Sequence, residues 1–354
     1  MMAGRDNAKL GEKKSIFKRF ENATVLTILI VFFIIIVGIQ LIGNKGAEVP
    51  TFIRLGNIFN VIQQIAVPGI AAVGMTLVMI TGGIDLSVGM LSSMTGIIAA
   101  KGITDWHLGV PLAILLAVAV AVLMETMMGF IISRSKVESF IITLGGMIMF
   151  KGIALLTCNS REVMMNGEIN FVKVNLIEGA KDPVSGLSMV LPPFVIVFFI
   201  IVILAWLLLK YTQYGHRLFA VGSNPQAAYL AGINVKNVKL SVYMINGLLV
   251  GIGSIMLLAR VNTGIISLGE GLEIDAIAMA VIGGTAMSGG KGNIWGTFFG
   301  ILLLGSIGNA MNMLKLQSEW QFVAKGLIII LAVAAGAFSK SIGAQLSKVF
   351  RRAN

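Results

Sequence analysis

Residues 24–42 read TVLTILIVFFIIIVGIQLI. The run holds no charged side chain, and its nineteen residues approach the roughly 20 that a helix needs to cross a bilayer core. Upstream, residues 1–23 carry Arg5, Lys9, Lys13, Lys14, Lys18 and Arg19. A signal peptide also begins basic, but its apolar region is only about 7–15 residues and ends at small residues. This run is longer and has no A-x-A-like end. It reads as an uncleaved first span behind a basic segment.

Working outward, apolar segments recur at about Ile58–Ile80, Leu86–Ala100, Gly109–Ile132, Val137–Thr157, Pro192–Leu209, Leu240–Val261, Ile274–Gly284, Ile294–Met313 and Trp320–Phe338. Leu86–Ala100 and Ile274–Gly284 are short, so the count is eight to ten, with ten as the working number. The composition agrees. The chain is 56% hydrophobic and 12% charged, about half the charge of a soluble domain, with a mean hydropathy of +0.92. Those figures exclude a disordered chain, a nucleic-acid-binding module and an ordinary cytosolic enzyme. Forty-two glycines suit close helix packing in lipid.

The net charge of +11 bears on orientation. On a ten-span model, 17 of the 27 Lys and Arg fall in segments 1–23, 81–85, 133–136, 210–239, 285–293 and 339–354. Basic residues favour the cytoplasmic side, which puts both termini inside. The reading is therefore an all-α polytopic membrane protein. Its transmembrane domain runs over 24–338, with an external loop at about 158–191, an acid-free cytoplasmic loop at about 210–239 and a cytoplasmic tail at 339–354. The loops are too short to fold alone.

The most informative local feature is the break Thr81-Gly82-Gly83-Ile84-Asp85-Leu86-Ser87-Val88-Gly89. Two glycines weaken a helix by about 1 kcal/mol each relative to Ala. Asp85, with Ser87 beside it, then stands where a helix would begin, and a carboxylate there accepts backbone N–H groups and suits the helix dipole. A capped hairpin is the preferred reading, and a direct solute ligand is the alternative. A weak echo appears at residues 283–292, where Gly283, Gly284, Gly289 and Gly290 form a second glycine-rich break. Repeated halves with broken helices would give such an echo, as would chance at this glycine frequency.

In the cytoplasmic loop, Asn224 can cap and Pro225 suits a first helical position. Gln226, Ala227 and Ala228 favour helix, and Gly232 before Ile233 closes it. A short amphipathic helix over 224–232 follows. It can pack on its own membrane domain or meet another protein. Within the spans, Glu125 is the one deep charge, and it needs a partner, a cavity or a proton. Lys151, Arg260 and Lys325 can snorkel. Gln63, Gln64, Thr143 and Asn246 can line a path for a hydroxylated solute or bond helix to helix. Pro68-Gly69 predicts a kink.

The single cysteine, Cys158, excludes an internal disulfide, and no metal-ligand cluster is formed. H-E-x-x-H and G-x-S-x-G are absent from the sequence, and GGKGN at 289–293 fails the phosphate-loop pattern. These motifs offer no nucleotide site and no catalytic centre.

Four stretches together resemble a family: GGIDLSVG at 82–89, SFIITLGGMIMFKGIALL at 139–156, AVGSNPQAAYLAGINV at 220–235 and EIDAIAMAVIGGTAMSGGKGNIWGT at 273–297. They are similar to the membrane permease subunit of bacterial ABC importers for simple sugars of the ribose, galactose and xylose type. Gln226 and Lys151 stand where that family commonly has Glu and Arg. The resemblance implies a non-enzymatic subunit of the bacterial inner membrane. Two permease chains, most simply a homodimer, would surround a path for a monosaccharide. A cytoplasmic ATPase would bind the ATP and Mg, and an extracytoplasmic binding protein would deliver the sugar. It also implies that the 224–232 helix is the coupling element, and that loops 158–191 and 263–272 meet the binding protein. Permeases for branched-chain amino acids or nucleosides, and an ion-coupled carrier using Glu125, are the competing readings.

Overall fold

The computed structural model describes residues 54–172, 178–181, 188–190, 192–317 and 319–327, together with Ile34, Gly38, Phe52 and Ile330. Apart from Ile34 and Gly38, the expected first span lies outside the described residues, as do segment 1–23 and tail 339–354. The expected last span, Trp320–Phe338, is described to residue 327 and at Ile330.

The chain folds as α1 (Leu55–Ile80), α2 (Val88–Thr104), α3 (Val110–Arg134), α4 (Ser139–Cys158), α5 (Pro193–Tyr211), α6 (Gln213–Ser223), α7 (Pro225–Leu230), α8 (Val235–Val261), α9 (Leu272–Ile282) and α10 (Ile294–Met313). Among the described residues six helices are long and apolar enough to cross a membrane: α1, α3, α4, α5, α8 and α10. The protein is a polytopic helical membrane protein. α2 and α9, counted as spans from sequence, have 17 and 11 residues. At 1.5 Å per residue α9 is only about 16 Å long, too short to cross alone.

Burial separates the core helices from the outer ones. The most apolar windows of α1 and α8 are 78% and 72% buried, against 28% for α3 and 22% for α4. α2 is enclosed, with every residue from Val88 to Ala100 buried. The outer helices present Leu115, Ile148, Leu156 and Leu204 outward. Such broad apolar faces would aggregate in water and are solvated by lipid tails. α3 lies close against α8 because small residues meet there. A Cβ at Gly247 would stand 2.7 Å from Glu125 Cβ, and one at Gly251 would stand 3.0 Å from Ala121 Cβ. That approach carries Glu125 into the interior.

Some expectations change. α1 runs unbroken through Pro68 from Leu55 to Ile80. Lys325 pairs with Asp275 at 2.9 Å rather than standing free to snorkel. The all-α reading needs two small strand pairs added. β1 (Val163–Met164) pairs antiparallel with β4 (Thr263–Gly264), and β2 (Glu178–Lys181) pairs with β3 (Ser188–Val190). β1 and β4 tie the 158–172 segment to the end of α8. The break 81–87, the turn 135–138, α6 and the second break gather at the opposite end of the helices.

Candidate functional site

Irregular backbone inside a membrane protein needs internal partners for its N–H and C=O groups. The 81–87 break finds them in side chains from neighbouring helices. Ser139 Oγ, at the start of α4, accepts the Ile84 N–H at 2.9 Å. One turn later Thr143 Oγ1 accepts the Leu86 N–H at 3.1 Å. Asp85 Oδ1 accepts the Ser87 N–H at 2.9 Å and the Ser87 hydroxyl at 2.6 Å. Gly82 turns the chain at φ +81°. Gly83 admits the Tyr243 hydroxyl, which would lie 2.7 Å from a Cβ there.

The Asp85 carboxyl has a second function. Its Oδ2 accepts Asn246 Nδ2–H from α8 at 2.8 Å. Ser87 Oγ lies 3.0 Å from Glu125 Oε1 on α3. One side-chain chain therefore joins α8, the break and α3, and the break's backbone adds α4. Asp85, Ser87, Glu125, Thr143 and Asn246 are all fully buried. The hydrogen-bond partners of the two carboxyls among the described residues are Ser87 and Asn246, neither of them a cation. A serine hydroxyl holds one hydrogen. Both of its carboxyl contacts are hydrogen bonds only when one carboxyl supplies a proton. Glu125 Oε2, Asn246 Oδ1 and the Tyr243 hydroxyl have no hydrogen-bond partner among the described residues.

Asp85 thus accepts the N–H of Ser87, the residue before α2, and reaches across to α8; the start of α2 itself has no side-chain cap, so the expected capped hairpin is replaced by a bond within the break. Glu125 is not the only deep acid, because Asp85 is buried with it. Gln63 and Gln64 lie elsewhere. Gln64 bonds to Asn60 at 3.3 Å. Seventeen helical residues put it about 25 Å from Thr81 along α1.

The cytoplasmic-loop motif forms α6 and α7. α6, absent from the sequence reading, is capped by Thr212 Oγ1, which accepts the Gly215 N–H. Its Tyr214 bonds Ser241 at 2.8 Å. Burial pushes the Tyr214 phenol above its ordinary value, and the Ser241 bond opposes that rise. Asn224 Oδ1 accepts the N–H groups of Gln226 and Ala227, both at 3.0 Å, and Pro225 opens α7. Gly232 closes the turn at φ +81°, and the Ile233 N–H returns to Ala228 O at 3.0 Å. Ala228 is buried while Ala227 is exposed, and Tyr229 and Leu230 are 71% and 84% exposed. They border an open cavity of about 990 Å³ with Ser133, Pro225 and Gln226.

The second break meets the first. The Gly290 N–H donates to Ile80 O at 2.9 Å. Gly284, Gly289 and Gly290 have φ of +88°, +79° and +74°, which an alanine would resist. Gly283 packs against the Gly296–Thr297 backbone at the start of α10.

A family model described as branched-chain amino acid transport system / permease component matches residues 57–333. The chain belongs to that permease family. The permease is 37% identical over 284 residues to the ribose import permease protein RbsC of Escherichia coli (strain K12), covering 80% of this chain and 86% of that one. RbsC of Bacillus subtilis (strain 168) is also 37% identical, over 287 residues, with 80% and 85% covered. The xylose transport system permease protein XylH of Escherichia coli (strain K12) is 31% identical over 335 residues, with 80% and 85% covered. No solved structure matches the permease. Both glycine breaks, the Asp85 network and α6–α7 lie inside the matched residues.

Sequence reasoning missed Tyr243, Ser139 and the Asn246–Asp85 bond. Ser139 opens an apolar run and could have been noted as a helix-start residue. The Asn246 pairing spans 161 residues, and a single sequence gives no signal for it.

Proposed function

We propose that this permease is the membrane subunit of an ATP-binding-cassette importer for a monosaccharide, in a bacterial cell membrane. The observation that carries the reading is the 37% identity to ribose import permeases over four-fifths of the chain. The xylose relative keeps the cargo within pentoses and similar polyols. A span interior whose polar groups are mainly hydroxyls and amides suits an uncharged solute. The energy comes from a cytoplasmic ATPase that binds ATP and Mg, and an extracytoplasmic binding protein presents the sugar. A second copy of the permease completes the path. Both termini stay in the cytoplasm and the span count stays at eight to ten, with α2 and α9 the two helices that decide it.

On this reading α7 with Gly232 and Ile233 is the coupling element. Its exposed Tyr229 and Leu230 provide apolar anchors, and no acid in 210–239 repels an acidic partner. Asp85, Ser87, Glu125, Thr143 and Asn246 hold the break that borders the path, and Gly283, Gly284, Gly289 and Gly290 form its counterpart. Purification in mild detergent from cells that also express an ABC ATPase and a sugar-binding protein of the same organism tests the assembly. The expected result is co-elution with the ATPase, lost when Tyr229 and Leu230 both become Asp. Elution of the permease without an ATPase partner would contradict the reading.

A further inference from the structure

We propose that Gly222, the pair Gly289–Gly290 and the segment Ile80–Gly82 form a glycine-lined joint that carries movement of α6–α7 to the Asp85 network. The proposal rests on the coupling reading above and assigns its transmission point.

Gly222 sits in the last turn of α6 with an ordinary helical backbone, so only space forbids a side chain there. A Cβ on Gly222 would collide with the Ile80 carbonyl oxygen and stand 2.6 Å from Gly290 N. A Cβ on Gly289 would be 2.8 Å from Gly222 O and 2.9 Å from both Gly82 N and Gly82 Cα. A Cβ on Gly290 would be 2.5 Å from Ser223 Oγ and 2.8 Å from Ser223 Cα. Real Cβ atoms do not approach backbone so closely. Three segments from distant parts of the sequence therefore touch main chain to main chain, fastened by the Gly290 N–H to Ile80 O bond at 2.9 Å.

This contact differs from ordinary helix packing. A side chain between two elements can change rotamer and absorb a small shift. Backbone against backbone has no such slack, and close-packed interiors transmit displacement. The output side is short. Three residues after Gly82, Asp85 bonds Asn246 of α8 and, through Ser87, reaches Glu125 of α3. Ile84 and Leu86 bond Ser139 and Thr143 of α4. A push on α7 thus reaches three membrane-spanning helices through one node.

Two measurements on the complete complex of permease, ATPase and binding protein in proteoliposomes test this. Gly222→Ala is expected to keep ATPase co-elution and ATP hydrolysis while uptake per ATP falls about tenfold. Gly152→Ala, in a helix with nothing within 4 Å of the added methyl, is the control and should match the native chain. Native uptake per ATP in Gly222→Ala would overturn the joint and leave the importer reading standing. Absence of ATP-driven monosaccharide uptake by the native complex would instead overturn the importer reading. Where Gly222→Ala fails to assemble, spin labels at the exposed Gln226 and Met287 decide. The joint predicts an unchanged label separation between nucleotide-free and ATP-bound complexes. A change in that separation would overturn it.

Discussion

Replacing Asn246 with alanine removes the bond that ties the break to α8. In the native chain Asn246 Nδ2 donates to Asp85 Oδ2 at 2.8 Å, with both residues fully buried. In a soluble protein a hydrogen bond to a charged group is worth about 1.5–3 kcal/mol. In membranes the unfolded reference also finds partners, and measured interhelical bonds average about 0.6 with a maximum near 1.7 kcal/mol. The bond here has a carboxyl acceptor and joins two fully buried side chains, which places it at the upper end. A cost of about 1–2 kcal/mol follows for Asn246→Ala. Asp85→Asn behaves differently. The new amide can be met by Asn246 Oδ1, which has no partner among the described residues, after a flip of the Asn246 carboxamide. That variant should lose less than about 1 kcal/mol. Asn246→Asp should be the worst of the three, because it sets another carboxyl against Asp85 with no cation to offset it. The assay is thermal or denaturant unfolding of the purified permease in one detergent, with Asp85→Asn/Asn246→Ala closing a double-mutant cycle. Equal stability for Asn246→Ala and the native chain, or native stability for Asn246→Asp, would refute the claim that this bond holds the break.

Other outcomes follow from the same geometry. Glu125→Gln can give Ser87 an N–H donor and should fold and transport near native levels, whereas Glu125→Ala should lose about 1–3 kcal/mol of stability in the same unfolding assay. Ala227→Asp, on the exposed side of α7, should leave the melting temperature alone and weaken ATPase co-elution, while Ala228→Asp buries a charge and should lower permease yield in the membrane. The Lys325–Asp275 pair is partly exposed, so its coupling energy in a double-mutant cycle should be under about 1 kcal/mol. Tyr214 has a raised folded pKa, so its contribution is complete below the ordinary phenol value of 10.0 and is lost as pH rises through the higher folded value. Tyr214→Phe should therefore show a smaller alkaline fall in stability than the native chain, read from unfolding at successive pH values.

Much of the architecture was legible in the sequence because lipid imposes a coarse rule. Apolar length alone marks α1, α3, α4, α5, α8 and α10. The helix start at Asn224-Pro225 and the close at Gly232 were also readable, since caps and positive φ are local chemistry. The short helices were harder. α2 and α9 are apolar like spans, and only packing shows that one is enclosed and the other too short. α6 escaped notice because QYGHRLFAVGS has neither an apolar run nor a strong start signal beyond Thr212. The site was legible in its members but not in its connections. Asp85, Ser87, Glu125, Thr143 and Asn246 were each picked out singly. Their meeting depends on contacts between residues 38 to 161 positions apart, which neither propensity nor motif encodes. The contact of the two glycine breaks through Gly290 and Ile80 was hidden for the same reason.

On the proposed function, companion chains supply both the energy and the cargo recognition with which this permease moves sugar. Uptake of radiolabelled ribose and xylose into sealed proteoliposomes, with the permease alone and then with ATPase, binding protein and internal ATP, tests it most directly. Accumulation of at least one of these sugars is expected with the full set and none with the permease alone, whether or not an ion gradient is imposed. Accumulation by the permease alone under a proton or sodium gradient would contradict it.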